Sequence, residues 1–306
     1  MKKPIVLFAL QSPPLLQLLR ASSSWDLRAE PMGDHEGLAE SETLETHPLP
    51  GLAGDIPDVV VVCSPAQLLR AKELVFGWGR TVPIVWAAHN GYQPDLIDGW
   101  EGPLLTFSAS NMATFSLFPR EHTYVIRPHV PVEREFKLIG SGPLPAFTMR
   151  SRPHTRQNIA AKMRVALLDA AAEEAGVEVN TYGQGQPKGF LHAAQKNIQF
   201  QYAAAYVSAL PSNAGFGLAE HEALAHGCPL IAMAWSDAHI TLAGYGGLCA
   251  SKAELVEVLR TRCAAHAKDG VGARKAWAES GYDVLRTHYT LPFMDACIGR
   301  FLDGLL

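Results

Sequence analysis

Gly215, Phe216, Gly217 and Leu218 follow one another, and Glu222 comes four residues after Leu218. The apolar run YVSALPS (206–212) precedes them and the helix-forming run LAEHEALAHG (218–227) follows, so the glycines read as a strand-to-helix turn. The first amides of a helix have no partner within it, and its N-terminus carries the positive end of the dipole, so it attracts an anion. Glycine at 215 and 217 lets that anion approach the backbone with no Cβ in the way. The run is therefore suited to a diphosphate or a polar sugar. Glu222 shares a helix face with Leu218, one turn deeper. A carboxylate accepts two hydrogen bonds at once, which suits a vicinal diol such as the ribose 2′- and 3′-hydroxyls. Glu220, two residues back, points away from that face and reads as solvated. On spacing alone, a tight strand–helix connection with Glu222 as surface charge is an equal alternative.

The elements that would position these residues alternate along the chain. PIVLFAL (4–10), DVVVVC (58–63), TVPIVWAAH (81–89), GPLLTFSAS (102–110) and TYVIRPHV (123–130) read as strands, with helical spacing between most of them. DVVVVC is apolar throughout, as a strand covered on both faces should be. Val130–Pro145 has Pro, Gly and Ser with little periodicity and reads as a linker. The second half repeats the logic: AFTMRS, VEVNTYG, YVSALPS and CPLIAMA as strands, and an alanine-rich helix closed by Gly176. QFQYAAA reads as a short helix, and helices run on to the C-terminus. Alternating strands and helices imply parallel α/β sheets. The fold expected is α/β with two Rossmann-like domains facing each other across a cleft, and ligands bind such sheets at the carboxyl ends of strands.

Bulk composition fits this reading. The 306 residues are enough for two domains, with 48% hydrophobic and 18% charged residues. The net charge of −4 argues against a general nucleic-acid binder. Most of the acidic excess lies between Asp26 and Glu45, which reads as a solvated loop. Five cysteines without a C-x-x-C pair suggest reduced core thiols and a cytoplasmic location. The N-terminal apolar run is broken by Pro13 and Pro14, so a first strand suits it better than a signal peptide. No run of 18 apolar residues suggests a membrane span. No H-E-x-x-H is present and His221-Glu222 lacks a second histidine, so no metal site is expected.

The run from Pro211 to Ile231 resembles the signature P-S-x-x-E-G-F-G-L-x-x-x-E-A-M-A-x-G-x-P-V-I of retaining GT-B glycosyltransferases, which use nucleotide-sugar donors. It matches at Gly215, Phe216, Gly217, Leu218, Glu222, Ala223, Leu224, Ala225, Gly227, Pro229, Leu230 and Ile231, and at Pro211 and Ser212 with one residue dropped. VIRPHVPVEREF (125–136) resembles the family's interdomain segment and TYGQGQP (181–187) its V-G-x-G-P strand end. HYTLPFMDACIGRFLDGLL (288–306) resembles its last helix, which returns to the first domain. The likeness covers about residues 120–306. It implies an N-terminal acceptor domain (1–137), a C-terminal nucleotide-sugar domain (138–286) and a terminal helix (287–306).

The resemblance also implies site residues. Gly183, Ser212, Gly215, Phe216, Gly217, Leu218 and Glu222 would bind a UDP- or GDP-linked sugar, a co-substrate in place of any cofactor. The family's Arg…Lys pair for the diphosphate has no clean equivalent, and Arg150 and Arg152 stand in for it ahead of Arg156 and Lys162. Arg152 would stabilise the charge developing on the leaving group. His89, at a strand end, would contact the donor sugar or an acceptor. Asp95, Asp98 or Glu101 would act as base in an inverting enzyme. Arg127 and His129 fit hinge packing, and Trp86 and Trp100 core packing. The family's first glutamate falls at Ala214, which leaves open an inverting transferase, fucosyltransferase-like or acting on phage DNA bases, or a non-catalytic sugar-nucleotide binder. The acidic N-terminal half does not favour a nucleic-acid acceptor.

Overall fold

A computed structural model of the chain describes residues 2–9, 13–30, 54–88, 100–107, 123–132, 144–149, 159–183, 186–208, 217–233 and 247–306. The chain forms two compact units. One comprises Met1–His129 with Tyr289–Leu306, and the other Val130–Ser212 with Gly217–His288.

The first unit holds a six-stranded sheet: β1 (Ile5–Ala9), β2 (Asp26–Glu30), β3 (Val59–Val62), β4 (Ile84–Ala88), β5 (Leu104–Thr106) and β6 (Thr123–Val125). Their order is β2-β1-β3-β4-β5-β6, every neighbour parallel. All four valines of β3 and all five residues of β1 are buried, as strands covered on both faces require. Between strands run α1 (Pro13–Arg20) and α2 (Pro65–Gly77). Ser64 caps α2 by accepting from the Gln67 amide, and proline at the first turn loses no bond there.

Asp26–Glu45 does not read correctly as one loop, because its first five residues are β2. Leu27 and Ala29 are buried while Asp26, Arg28 and Glu30 lie half-covered, the alternation of an edge strand with one wet face. Arg28 holds the Asp26 carboxylate with Nε at 2.9 Å and Nη2 at 2.7 Å, which keeps the Asp26 carboxyl below its ordinary range.

The unit is completed by the last helix, α8 (Leu291–Asp303). Thr290 caps it, and Met294, Cys297, Ile298, Phe301 and Leu302 form its buried stripe. Phe301 meets Trp25 and Tyr124 edge-on, with centroids 6.4 and 5.4 Å apart. Burying a side chain of that size stabilises by about 1.5–3 kcal/mol. The C-terminal helix thus packs on the first unit, as the family resemblance implied.

The second unit holds β7 (Ala146–Met149), β8 (Val179–Tyr182), β9 (Tyr206–Val207), β10 (Leu230–Met233) and β11 (Leu248–Cys249), ordered β11-β10-β9-β7-β8 and all parallel. Its helices are α3 (Ile159–Ala175), α4 (Ala193–Tyr202), α5 (Leu218–Ala225), α6 (Lys252–Lys268) and α7 (Gly270–His288). α4 begins well before the expected QFQYAAA, with Gln195 Oε1 accepting from the His192 amide at its start. Phe147, Phe200 and Tyr206 form an aromatic knot, centroids 5.3–5.7 Å apart, that fastens α4 to the sheet. All five cysteines are free thiols, and no helix among the described residues is long and apolar enough to cross a membrane.

Candidate functional site

In the second sheet β8 lies on one side of β7 and β9 on the other, so the winding reverses between β7 and β9. At such a switch point the connections leave the carboxyl ends in opposite directions and open a crevice there. Arg150 follows β7 directly in sequence, and the chain after β9 runs through Ser208 to α5.

α5 forms because Leu, Ala and Glu are good helix formers. Gly217, its N-cap, has φ 65°, a left-handed conformation that glycine takes without strain. The helix closes in a Schellman turn: Gly227, φ 67°, donates to Leu224 O and Cys228 to Ala223 O. At the other end the Glu220 and His221 amides donate to Gly217 O, while those of Leu218 and Ala219 have no acceptor among the described residues. That leaves two donors at the positive end of the helix.

Glu220 contradicts its expected solvation. It is 1% exposed, and its Oε1 accepts from Ser208 Oγ at 2.6 Å, at the end of β9. Burial pushes its carboxyl up to about 7, helped by the charge of Glu222 and opposed by the Ser208 bond. Its Oε2 has no partner among the described residues. Tyr206 lies beneath, fully buried, its phenol raised by burial and by the same two carboxylates. The inward face of α5 is set by Glu220, His221, Ala223 and Leu224, not by Leu218, which is half-exposed.

Glu222 lies on a different face and meets α4. Lys196 Nζ sits 2.8 Å from both of its oxygens, and the two side chains are 23% and 28% exposed. Arg274 of α7 holds the two helices in register. Fully buried, it donates from Nη1 to Ala203 O and from Nη2 to Phe200 O and Gly227 O, joining the end of α4 to the end of α5. Those carbonyls sit at the negative ends of both helix dipoles, which suits a cation. Burial nevertheless lowers its affinity for a proton. His226 stacks on Phe200 at 12° between planes, closing the same junction.

Of the other expected residues, Gly183 follows β8 with φ 138°, and its amide donates to Gly189 O. Beside it a cavity of about 240 Å³ is lined by Tyr182, Lys188, Phe190, Leu191, Gln195, Ile198 and Gln199. The buried Oε1 of Gln199 has no partner among the described residues. His89, Asp95, Asp98, Arg150, Arg152, Arg156, Ser212, Ala214, Gly215 and Phe216 lie outside the described residues. Lys162 falls within α3 and Glu101 is exposed. Trp86 is core, packed on Trp100, whose Nε1 donates to Pro103 O. Arg127 lies over Phe293, and His129 Nδ1 donates to Tyr289 O at 2.9 Å. Among the described residues, no group of three or more His, Cys, Asp or Glu side chains could hold a metal ion. Sequence reasoning missed Lys196, Ser208 and Arg274. The only hint was Glu220 standing four residues before Leu224, a core leucine.

Two parallel α/β units with a last helix packed on the first define the GT-B fold. Solved structures share it. HepE from Anabaena, in complex with UDP and glucose, is 14% identical with a TM-score of 0.66, over 99% of this chain and 100% of that one. A glycosyltransferase from Rickettsia africae is 12% identical with a TM-score of 0.62, over 99% of both chains. TarM of S. aureus is 11% identical with a TM-score of 0.57, over 83% of this chain. This chain spans only 56% of the TarM chain. No protein-family model and no curated protein matches the sequence.

Proposed function

We propose that the chain is a glycosyltransferase that moves a sugar from a UDP- or GDP-linked donor to an acceptor hydroxyl, with retention and without a metal. One observation carries the reading: α5 starts, where the second sheet reverses its winding, with amides that have no acceptor among the described residues, and a carboxylate stands one turn further on. The amides of Leu218 and Ala219, with Gly215, Phe216 and Gly217 before them, hold the diphosphate, joined by Arg150 and Arg152. Arg152 stabilises the departing diphosphate as its bond to the sugar breaks. Glu222 takes the ribose diol. Lys196 uses one lone pair on each of its oxygens, and each oxygen keeps a second for a hydroxyl. Ser212 and Gly183 line the donor, and the cavity beside Gly183 has room for a planar base. His89 is the candidate for contact with the donor sugar or the acceptor. HepE, similar in fold, was solved with UDP and with UDP-glucose, which supports the donor class.

Ala214, where the resemblance calls for glutamate, favours a second reading: a sugar-nucleotide binder that does not turn over. A panel of UDP and GDP sugars decides between them. A rise in melting temperature with slow donor hydrolysis is the result expected of an enzyme, and a rise without turnover, acceptors included, supports the binder. Glu222→Ala should weaken UDP or GDP by about tenfold or more, the loss of hydrogen bonds to a charged group. Unchanged affinity removes Glu222 from the site.

A further inference from the structure

We infer that Lys196 is a specificity-determining positioning residue of this donor site: it fixes the Glu222 carboxylate so that the pair selects a ribose diol over a deoxyribose. The inference rests on the proposed donor reading. An ammonium at 2.8 Å from both oxygens holds the carboxylate at two points and resists its rotation. Among the described residues, no other side chain hydrogen-bonds either oxygen of Glu222. Removing Lys196 would leave the carboxylate free to turn.

Two features separate this pair from surface decoration. Exposed Lys–Glu pairs are mobile and contribute little, whereas here both side chains are about three-quarters covered. The helices carrying them are also joined, by Arg274 across three carbonyls and by Phe200 under His226. The separation of Lys196 from Glu222 is therefore set by the core rather than by two flexible stems. The remaining coverage still leaves a quarter of each side chain open to a ligand.

The hydrogen-bonding capacity that remains matches a diol. Each Glu222 oxygen keeps one acceptor site, and the Lys196 ammonium keeps its third N–H. Two neighbouring hydroxyls each donate to the carboxylate, and one of them accepts from Lys196. A sugar lacking one hydroxyl leaves part of this set unpaired in a half-dry site, and sites built to bond a hydroxyl reject analogues without it.

The experiment compares UDP with 2′-deoxy-UDP, and GDP with 2′-deoxy-GDP, by calorimetric titration of the full chain. The variants are Lys196→Met, Lys196→Arg and Glu222→Ala. The parent should prefer the ribonucleotide by about tenfold. Lys196→Met should lose that preference by weakening the ribonucleotide alone, and Lys196→Arg should restore part of it. Lys196→Gln, closer in polarity, carries the same test should Lys196→Met not fold. A preference retained without Lys196, or tighter ribonucleotide binding in Lys196→Met, overturns the inference. In the second case the pair is a latch that the ligand has to open. If Glu222→Ala loses the preference while Lys196→Met keeps it, the donor reading stands and the inference alone fails. Binding of neither UDP nor GDP, or a preference indifferent to Glu222→Ala, brings down both.

Discussion

Around the six-stranded sheet, no carboxylate, histidine, lysine or arginine is buried among the described residues. Around the five-stranded sheet Glu220, His221, His266 and Arg274 are. Both sheets are parallel and both are covered by helices, so fold class does not require the difference. The first unit is held by apolar matching, as in Val59–Val62 and the Trp25–Phe301–Tyr124 contacts. The second uses buried charge at the junction of α4, α5 and α7 to hold two helix ends together. Buried charge is costly and gives little net stability against apolar packing. Its presence where the C-terminal ends of α4 and α5 meet marks where geometry, rather than cohesion, sets the choice of residue.

Three substitutions test that contrast. The largest effect is expected of Arg274→Met. It removes the donor to three carbonyls that have no other route to water, so it should lower unfolding free energy by about 3–5 kcal/mol in a denaturant titration. A loss below about 1 kcal/mol would make the cation incidental.

Glu220→Gln comes next and depends on pH. Its carboxyl is raised from 4.5 to about 7 in the folded chain, so folding takes up a proton between those values. The stability tied to Glu220 is fully present below about pH 4.5 and is lost as pH rises through about 7. At one pKa unit per 1.36 kcal/mol, the ceiling on that loss is about 3 kcal/mol. The glutamine variant cannot ionise, so it should gain on the parent between pH 5 and pH 8 by up to that amount. Equal pH profiles for the two proteins would show that Glu220 does not titrate there.

The smallest effect, about 2 kcal/mol, is expected of Val61→Ala in the first sheet, where two methyls leave a dry core. Its cost should not vary between pH 5 and 8, since no carboxylate or histidine is buried around that sheet among the described residues. A pH-dependent cost would blur the distinction between the two units.

The same contrast explains what could be read from the sequence. β1, β3, β4 and β10 stand out because continuous apolar runs leave no other assignment. β2 was hidden because DLRAE carries three charges on its wet face, and only Leu27 and Ala29 betray the alternation. In α5 the error came from counting the helix from Leu218 as though it marked the core. Leu224 does, and counting back four residues from it gives Glu220. That Glu222 meets Lys196 depends on the crossing of α4 and α5, a tertiary fact without a local signal. Arg274, some fifty residues beyond α5, is likewise invisible until α7 packs.

The bond from His129 to Tyr289 has a consequence for how such a chain is assembled in evolution and in the laboratory. His129 is where the chain leaves the first unit, and Tyr289 is where it comes back. Exit and return are neighbours, joined by a hydrogen bond of 2.9 Å within the first unit. A short Gly-Ser bridge from His129 to Tyr289 would span those ends without stretching the backbone. The first unit is therefore one sheet and its covering helices built from two stretches of sequence whose ends the fold brings together.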